Sequence, residues 1–451
     1  MKSVTGGLDT KYSHAQVFDK TYNVMDHIDS SRSVEYQAIG SNIYTSNSGA
    51  RIVKFRLSDD RAWLDPSSVR VQYKIKNTST VVTENLYPLK SHGFFTRLRA
   101  MSRGSLIEDI GEYNRVHEMF QNLKPDNEVK SDTLEGFKNN FALDGTSGAS
   151  DAGIFNYFTN ISKETSMTVS FKPLSGLLNQ ANYVPLSFLP IELELELSTD
   201  PKANIISKDL IADADKVKVS ENWELYDFKI LCDQKYYSPN YTDMFVNHIT
   251  QENSSYKISI NNYTSLYQTL LNTGPIDINI SKSVHSLDRV YVSFFRDLST
   301  SNKGDPIVKN VYLKEYNCFY SPASNASSLR YDPAFDINRL SLKIGSLNFP
   351  DMPLNSQSVC YYYLNKCHPE TNISVLEYNN TKFISLFNLE RADADSNVLA
   401  RGIDTNNKNL SLMVDLAKEV TGKPQPPEYV HVVMVNELMI NIFNTHVDIL
   451  E

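Results

Sequence analysis

The chain has 451 residues and a formal net charge of -9. A single hydrophobic core stops growing near about 250–300 residues, so this length excludes one ordinary domain and fits two β domains of about 200 residues each. Hydrophobic residues at 41% and charged residues at 22% exclude global disorder, and the acidic balance without a Lys/Arg block argues against a phosphate-gripping nucleic-acid binder.

Aromatic residues make up 11% of the chain, with 26 Tyr and 21 Phe, a composition that favours strands. Residues 1–32 are polar and weakly patterned, and read as an N-terminal arm that orders against a partner. Met1 is followed by polar residues rather than a signal-like apolar stretch, so the chain is expected to be soluble and made in a reducing compartment. Arg51–Leu57 and Val69–Ile75 alternate apolar and polar residues at period two, the pattern of half-buried antiparallel strands. Phe94–Met101 and Leu106–Ile110 flank Ser102-Arg103-Gly104-Ser105, read as a four-residue hairpin connection. Glu112–Leu123 places Tyr113, Val116 and Phe120 at helical spacing and predicts one short helix. Residues 131–165 are rich in Gly, Ser, Asn and Asp and read as a long loop. Thr168–Phe171 is a strand, and Ile191–Leu197 (IELELEL) is the cleanest alternation in the chain, with Glu192, Glu194 and Glu196 pointing outward. Trp223–Cys232 is the last strand of this half.

The second half repeats the order. Ile276–Ile280, Arg289–Phe295 and Leu340–Ile344 read as strands, and Ser358–Cys367 as a short helix. Lys382–Leu389, Leu410–Leu416, Tyr429–Val435 and Glu437–Asn444 follow as strands. Val69, Val71 and Tyr73 correspond to Val290, Val292 and Phe294 at a shift of 221, and residues 193–197 to residues 410–414 at 217. Cys232 lies 219 before Glu451. Strand patterns recurring at near-constant spacing point to two tandem copies of one β domain, with the border near Asp233–Gln251.

Catalytic signatures are missing. Gly422-Lys423 is followed by Pro424, which lacks the N–H that a phosphate loop needs. His117-Glu118 opens like a zinc protease motif, but the position four after His117 is Gln121. Cys360, Cys367 and His368 lack a second CxxC pair and read as buried thiols beside a histidine, and Cys232 and Cys318 form no disulfide framework with them. Gly145-Thr146-Ser147-Gly148 lacks the spacing of a nucleophile elbow. Glu192, Glu194 and Glu196 share one strand face and read as solvated or intersubunit rather than as a carboxylate pair across a cleft. Asp393 and Asp395 read as a turn rather than a calcium site. Arg97, Arg99 and Arg103 are interleaved with apolar residues and read as the polar side of a strand. No catalytic, cofactor or metal residue is assigned.

Four stretches carry a resemblance: residues 97–120, 177–197, 340–356 and 401–416. In order they hold a strand–Gly turn–strand–helix segment, a segment ending in the long alternating strand, a strand–Gly–Pro–x–x–Pro segment, and a loop with its strand. The sequence resembles the double jelly-roll major capsid proteins of tailless icosahedral dsDNA viruses, of the polinton-like virus and virophage type. The resemblance implies an all-β fold of two tandem eight-stranded antiparallel jelly rolls with a few short helices in loops. It implies residues 33–235 as the first roll and 236–451 as the second. It also implies a homotrimer of pseudo-sixfold shape that tiles a virion shell assembled inside the host cell. Neighbouring capsomers, penton and minor capsid proteins would be the partners. Contact with an inner membrane is left open, and no specific nucleic-acid binding is expected. Residues 131–165, 297–310 and 317–335 are candidates for outward towers or trimer contacts. Two alternatives stand beside it: another jelly-roll viral structural protein, or a β-sandwich carbohydrate-binding module.

Overall fold

The computed structural model of the chain describes residues 28–47, 49–137, 159–208, 216–250, 255–270, 275–295, 313–325, 330–331, 336–371, 373–390, 402–416 and 428–450. The first half runs β1 (Ile28–Gln37), β2 (Ile43–Thr45), β3 (Ile52–Leu57), β4 (Ala62–Asn77), β5 (Phe95–Ser102) and β6 (Ser105–Gly111). Helices α1 (Tyr113–Asn122) and α2 (Asp126–Glu135) follow, then β7 (Ser166–Phe171), the short α3 (Gly176–Asn179), β8 (Val184–Pro185), β9 (Ile191–Leu197) and β10 (Trp223–Tyr237). Helix α4 (Pro239–Thr250) leads into β11 (Tyr256–Thr269), β12 (Ile276–Ile280), β13 (Leu287–Phe295), the small pair β14 (Ser324–Asn325) and β15 (Arg330–Tyr331), β16 (Ile337–Ile344) and β17 (Leu347–Leu354). Helices α5 (Gln357–Cys367) and α6 (Val375–Asn380) precede β18 (Ser385–Asn388), β19 (Leu410–Leu416), β20 (Tyr429–Ile442) and β21 (Val447–Leu450).

The sheets order as β1-β10-β4-β7 and β3-β9-β5-β6 in the first half, and as β11-β20-β13-β18 and β12-β19-β16-β17 in the second. Counting the eight principal strands of each half in chain order, both halves have sheets ordered 1-8-3-6 and 2-7-4-5, the antiparallel jelly-roll arrangement. The fold is therefore two tandem jelly rolls, as expected. In each, two helices follow the fifth strand: α1 and α2 after β6, α5 and α6 after β17.

Inward side chains from both sheets of a roll fill its core, as in any packed sandwich. In the first roll Tyr73 of β4 and Phe171 of β7 lie 6.0 and 5.6 Å from Phe95 of β5, and Phe228 of β10 stacks on Tyr73 at 5.4 Å. In the second, Val290, Val292 and Phe294 of β13 oppose Leu340, Leu342 and Leu412, all buried. The two matched segments of the sequence prove equivalent by topology: β4 and β13 are third strands, and β9 and β19 are seventh strands.

Several expectations are corrected. The last residues assigned to the arm form the start of β1 at Ile28. The hairpin after β5 closes on two residues, Arg103 and Gly104, both at positive φ (48° and 84°), the primed turn that matches strand twist. The eighth strands end at Tyr237 and Ile442, so the 219-residue spacing to the chain end was no strand correspondence; β21 folds back beyond β20. The segments 429–435 and 437–444 are one strand, since Glu437 stays in the ladder and accepts a hydrogen bond from Ser259 Oγ at 2.5 Å. β17 escaped notice because Pro350 and Pro353 break its pattern, and it lies at a sheet edge, where a missing N–H is tolerated. α2 occupies the start of the expected 131–165 loop, whose residues 138–158 lie outside the described residues, as do 297–310 and parts of 317–335.

Candidate functional site: the seam between the two jelly rolls

Helix α1 begins directly after β6, with Glu112 at φ 45° turning the chain into it. A surface helix buries one stripe, yet α1 buries nearly its whole circumference. On one side Tyr113 Oη accepts the Leu174 N–H at 2.9 Å, and the His117 ring lies against the Lys172 carbonyl at 3.0 Å, both within the first roll. On the other side the helix lies on the outer face of the second roll. There Phe120 meets Tyr263 and Tyr291 edge-on at 5.0 and 5.1 Å. Tyr291, Ser293 and Phe295 alternate with the core residues of β13, so this strand is covered on both faces.

Arg115 is the pin of this contact. Its side chain leaves α1 and enters the second roll, with the guanidinium 4.5 Å from the Phe295 ring and 4.6 Å from the Phe319 ring. It donates to the carbonyls of Glu315, Cys318 (3.1 Å) and Phe294 (3.1 Å), and to Ser293 Oγ (3.3 Å). Burial lowers its pKa to about 10, and the nearby Glu112 and Glu315 only partly offset the loss of water. His431, opposite Ser293 in the ladder, is fully buried; burial and then Arg115 hold it neutral, well below the usual imidazole range.

A second polar group sits beside it. Glu118 lies 3.1 Å from His92 Nε2 and 3.3 Å from Lys90 Nζ. Burial alone would raise this carboxyl, but Lys90 and the His92 hydrogen bond outweigh it and hold the pKa at about 2. The His92 and His117 rings stack at 4.0 Å. Tyr316 of the second roll donates to Asn204 Oδ1 at 2.7 Å, and Asn204 donates back to the Lys90 carbonyl at 2.7 Å.

Lower on the seam, buried Glu108 accepts from Ser175 Oγ and from the N–H groups of Gly176 (2.6 Å) and Leu177 (3.3 Å). A Cβ on Gly176 would stand 1.9 Å from the Asn261 carbonyl oxygen of the second roll. Gly176→Ala is therefore expected to push the rolls apart and to cost about 2–3 kcal/mol, as overpacking does. Urea unfolding of the variant checks this; an unchanged midpoint would mean the seam yields freely there.

The residues singled out in the sequence do not assemble into one site. Arg97 forms a two-point pair with Asp109 at 2.6 and 2.7 Å, and Arg99 pairs with Glu194 at 3.0 Å, both on the polar side of β5. Arg103 reaches the Asn444 carbonyl at 2.8 Å, a further tie between the halves. Glu194 is not solvated as expected: it is buried, because Lys54 of β3 and Arg99 of β5 flank it on both sides of the central strand. Glu118 belongs to the seam rather than to a metal motif. Cys360 is buried and its thiol is pushed up to about 12 by burial; Cys367 is half-buried, and His368 contacts the Tyr291 hydroxyl at 2.9 Å. Asp393, Asp395, Gly145–Gly148 and Gly422–Pro424 lie outside the described residues. Among the described residues no group of three or more His, Cys, Asp or Glu is placed to hold a metal ion, and no helix is long and apolar enough to cross a membrane. Arg115 escaped the sequence reading, since an Arg on a short amphipathic helix looks solvent-facing. The usable signal was elsewhere: Tyr291-Val292-Ser293-Phe294-Phe295 is nearly continuous apolar sequence, the mark of a strand buried on both faces.

No protein-family model matches the sequence, and no curated protein matches it. Solved structures do. A chain of the Sputnik virophage is 13% identical with a TM-score of 0.60, over 99% of this chain and 93% of that one. A chain of the PBCV-1 virus capsid is 9% identical with a TM-score of 0.59, over 93% and 96%. The Faustovirus major capsid protein is 7% identical with a TM-score of 0.57, over 92% and 90%. At such identities the likeness is one of fold, and it spans both halves of the chain: this protein has the double jelly-roll fold of viral major capsid proteins.

Proposed function

We propose that this chain is a major capsid protein of a tailless icosahedral dsDNA virus, of the polinton-like virus or virophage type. Three copies form a capsomer of pseudo-sixfold outline, and capsomers tile the shell against penton and minor capsid proteins. Assembly takes place inside the host cell. The observation that carries this reading is the presence of two complete jelly rolls with identical strand order in one chain, locked by a buried seam. A fixed pair of like barrels is the unit from which three chains make six positions. The likeness to capsid proteins points to a structural rather than an enzymatic role. The division we propose keeps an arm, a first roll and a second roll, with borders moved to Ile28 and to the α4 region so that β1 and β10 stay whole.

Light scattering of the purified chain, with negative-stain images of the same fraction, tests it. The expected result is a species of three times the monomer mass with a hexagonal outline. A strict monomer at every salt and protein concentration would overturn it and favour a carbohydrate-binding module.

A further inference from the structure

Within one chain, a helix that follows the fifth strand of the first roll covers the outer face of the 1-8-3-6 sheet of the second roll. The second roll carries a helix at the same place in its chain order, α5, followed by α6 as α1 is by α2. Among the described residues α5 is covered on one side only. Gln357, Cys360 and Leu364 are buried, and the Gln357 side chain is bonded to Ser321, Tyr378 and Asn379 of its own roll. The opposite side, with Ser358, Tyr362, Asn365 and Lys366, is exposed, and Tyr362 is 62% exposed. α6 adds Val375 at 68%.

The first roll, in turn, has an outer sheet face that nothing among the described residues covers in the same way. The 221-residue shift sets Gln72 at the place of Ser293. The ladder agrees: Ser293 faces His431 across β13 and β20, and Gln72 faces Lys229 across β4 and β10. Ser293 and His431 are both 0% exposed, whereas Gln72 and Lys229 are half-buried. Lys74 and Lys229 hold this face in mixed charge through Asp227 at 2.8 Å and Glu35 at 3.1 Å. One half of the repeated contact is thus filled inside the chain, and among the described residues the matching halves, on α5–α6 and on β4–β10, are open.

We propose that the α5–α6 face of one copy docks on the outer face of β4 and β10 of a second copy, repeating head-to-tail the contact that α1 makes inside the chain. This rests on the capsomer reading and names its interface. Helix patch and sheet face are different surfaces of one chain, so the contact is heterologous, and a rotation that closes makes a ring. Three two-barrel chains then give six equivalent helix-on-sheet contacts, half within chains and half between them. The chemistry of the two kinds differs as their roles demand. The internal contact is aromatic and forms once, on folding. The external one sets tyrosine and aliphatic side chains against the stems and charges of lysines, a face that stays soluble until a partner arrives.

The test uses full-length chains with one surface blocked in each. Tyr362→Lys places a cation opposite Lys74 and Lys229, and Gln72→Trp fills the sheet face; both positions have room, and circular dichroism and melting confirm folding. Each variant alone is expected to shift from trimer to monomer in light scattering. An equimolar mixture has one good helix face and one good sheet face, so it is expected to stop at dimers. Trimers that persist in both variants would overturn the interface while leaving the capsomer reading intact. A wild-type chain that is itself only monomeric would overturn both. A double variant, Gln72→Cys with Tyr362→Cys, gives an independent readout should either blocked chain fold poorly. With a short bismaleimide it is expected to give covalent dimers and trimers on a denaturing gel, beyond what either single cysteine gives; monomer alone would overturn the proposal.

Discussion

Arg115→Ala is expected to destabilise the protein by about 4 kcal/mol and to let the two jelly rolls unfold separately. The guanidinium serves three backbone carbonyls and one hydroxyl of the second roll. Losing a hydrogen bond to a buried charged group costs about 1.5–3 kcal/mol, and the slot between Phe295 and Phe319 becomes a cavity with its own cost. An opposing effect must be weighed. A buried charge that nearby carboxylates offset only in part is costly to hold, as its lowered pKa records, so an apolar replacement recovers desolvation energy. Arg115→Met fills the slot and sheds the charge but gives up the guanidinium's hydrogen bonds, so its cost is expected to be about half that of alanine. Urea unfolding followed in parallel by Trp fluorescence and far-UV circular dichroism separates these cases, because Trp63 and Trp223 both belong to the first roll whereas circular dichroism reads the strands of both. The two wild-type curves are expected to coincide, and in the alanine variant to separate. If alanine and methionine both fall within about 1 kcal/mol of wild type, the guanidinium does not hold the seam.

The reasons this fold could be read from its sequence are also the reasons its seam could not. A strand with one wet face writes itself as alternation, and Arg51–Leu57 and Ile191–Leu197 appear in the structure with the expected faces inward. Two copies of such a pattern at a shift near 220 reveal the duplication before any contact is known. Where a second surface covers the strand, alternation ends. β20 buries eleven of its fourteen residues, on both faces, so it reads as two apolar runs rather than one strand. Charge misleads in the same way. Glu194 looks solvated from its own strand, and only the register of β3 and β5 brings Lys54 and Arg99 to it. Arg115 sits on an ordinary amphipathic helix, and its burial is decided by residues about 180–200 positions downstream, while Glu118 beside it is held by Lys90 and His92 upstream. Periodicity is local, whereas a seam is a relation between distant segments, and only the folded backbone supplies it.

Acidification from pH 6.5 to 5 is expected to weaken the fold by several kcal/mol, offset only in part by Glu108 and Glu112, whose carboxyls burial raises. Four histidines along or beside the seam are held neutral. Burial lowers His92 despite Glu118, and it sets His117 and His431 well below the ordinary imidazole value of 6.5. Burial, then Arg289, brings His368 down to about 4. In the unfolded chain these groups take up protons near pH 6.5, and in the fold they refuse them. The unfolded state therefore binds more protons below pH 6.5, and stability falls as pH falls towards the folded values. Each fully resisting histidine contributes about 1.4 kcal/mol per pH unit. Glu118 works in a separate window. Its folded value near 2 lies below the ordinary glutamate value of 4.5, so its stabilisation is complete above 4.5 and is lost only as pH falls towards 2. Melting temperature measured from pH 8 to 3 should thus be level above about 7, fall steeply through the histidine window, and fall further in the carboxylate window. His431→Phe isolates one contribution. Both ring nitrogens of His431 lie buried without a hydrogen-bond partner, so phenylalanine should cost little at pH 7 while reducing the acid slope by about one proton. A melting temperature that is flat between pH 7 and 5, or a variant slope equal to wild type, would show that the seam opens to water and lets these imidazoles titrate in the folded protein.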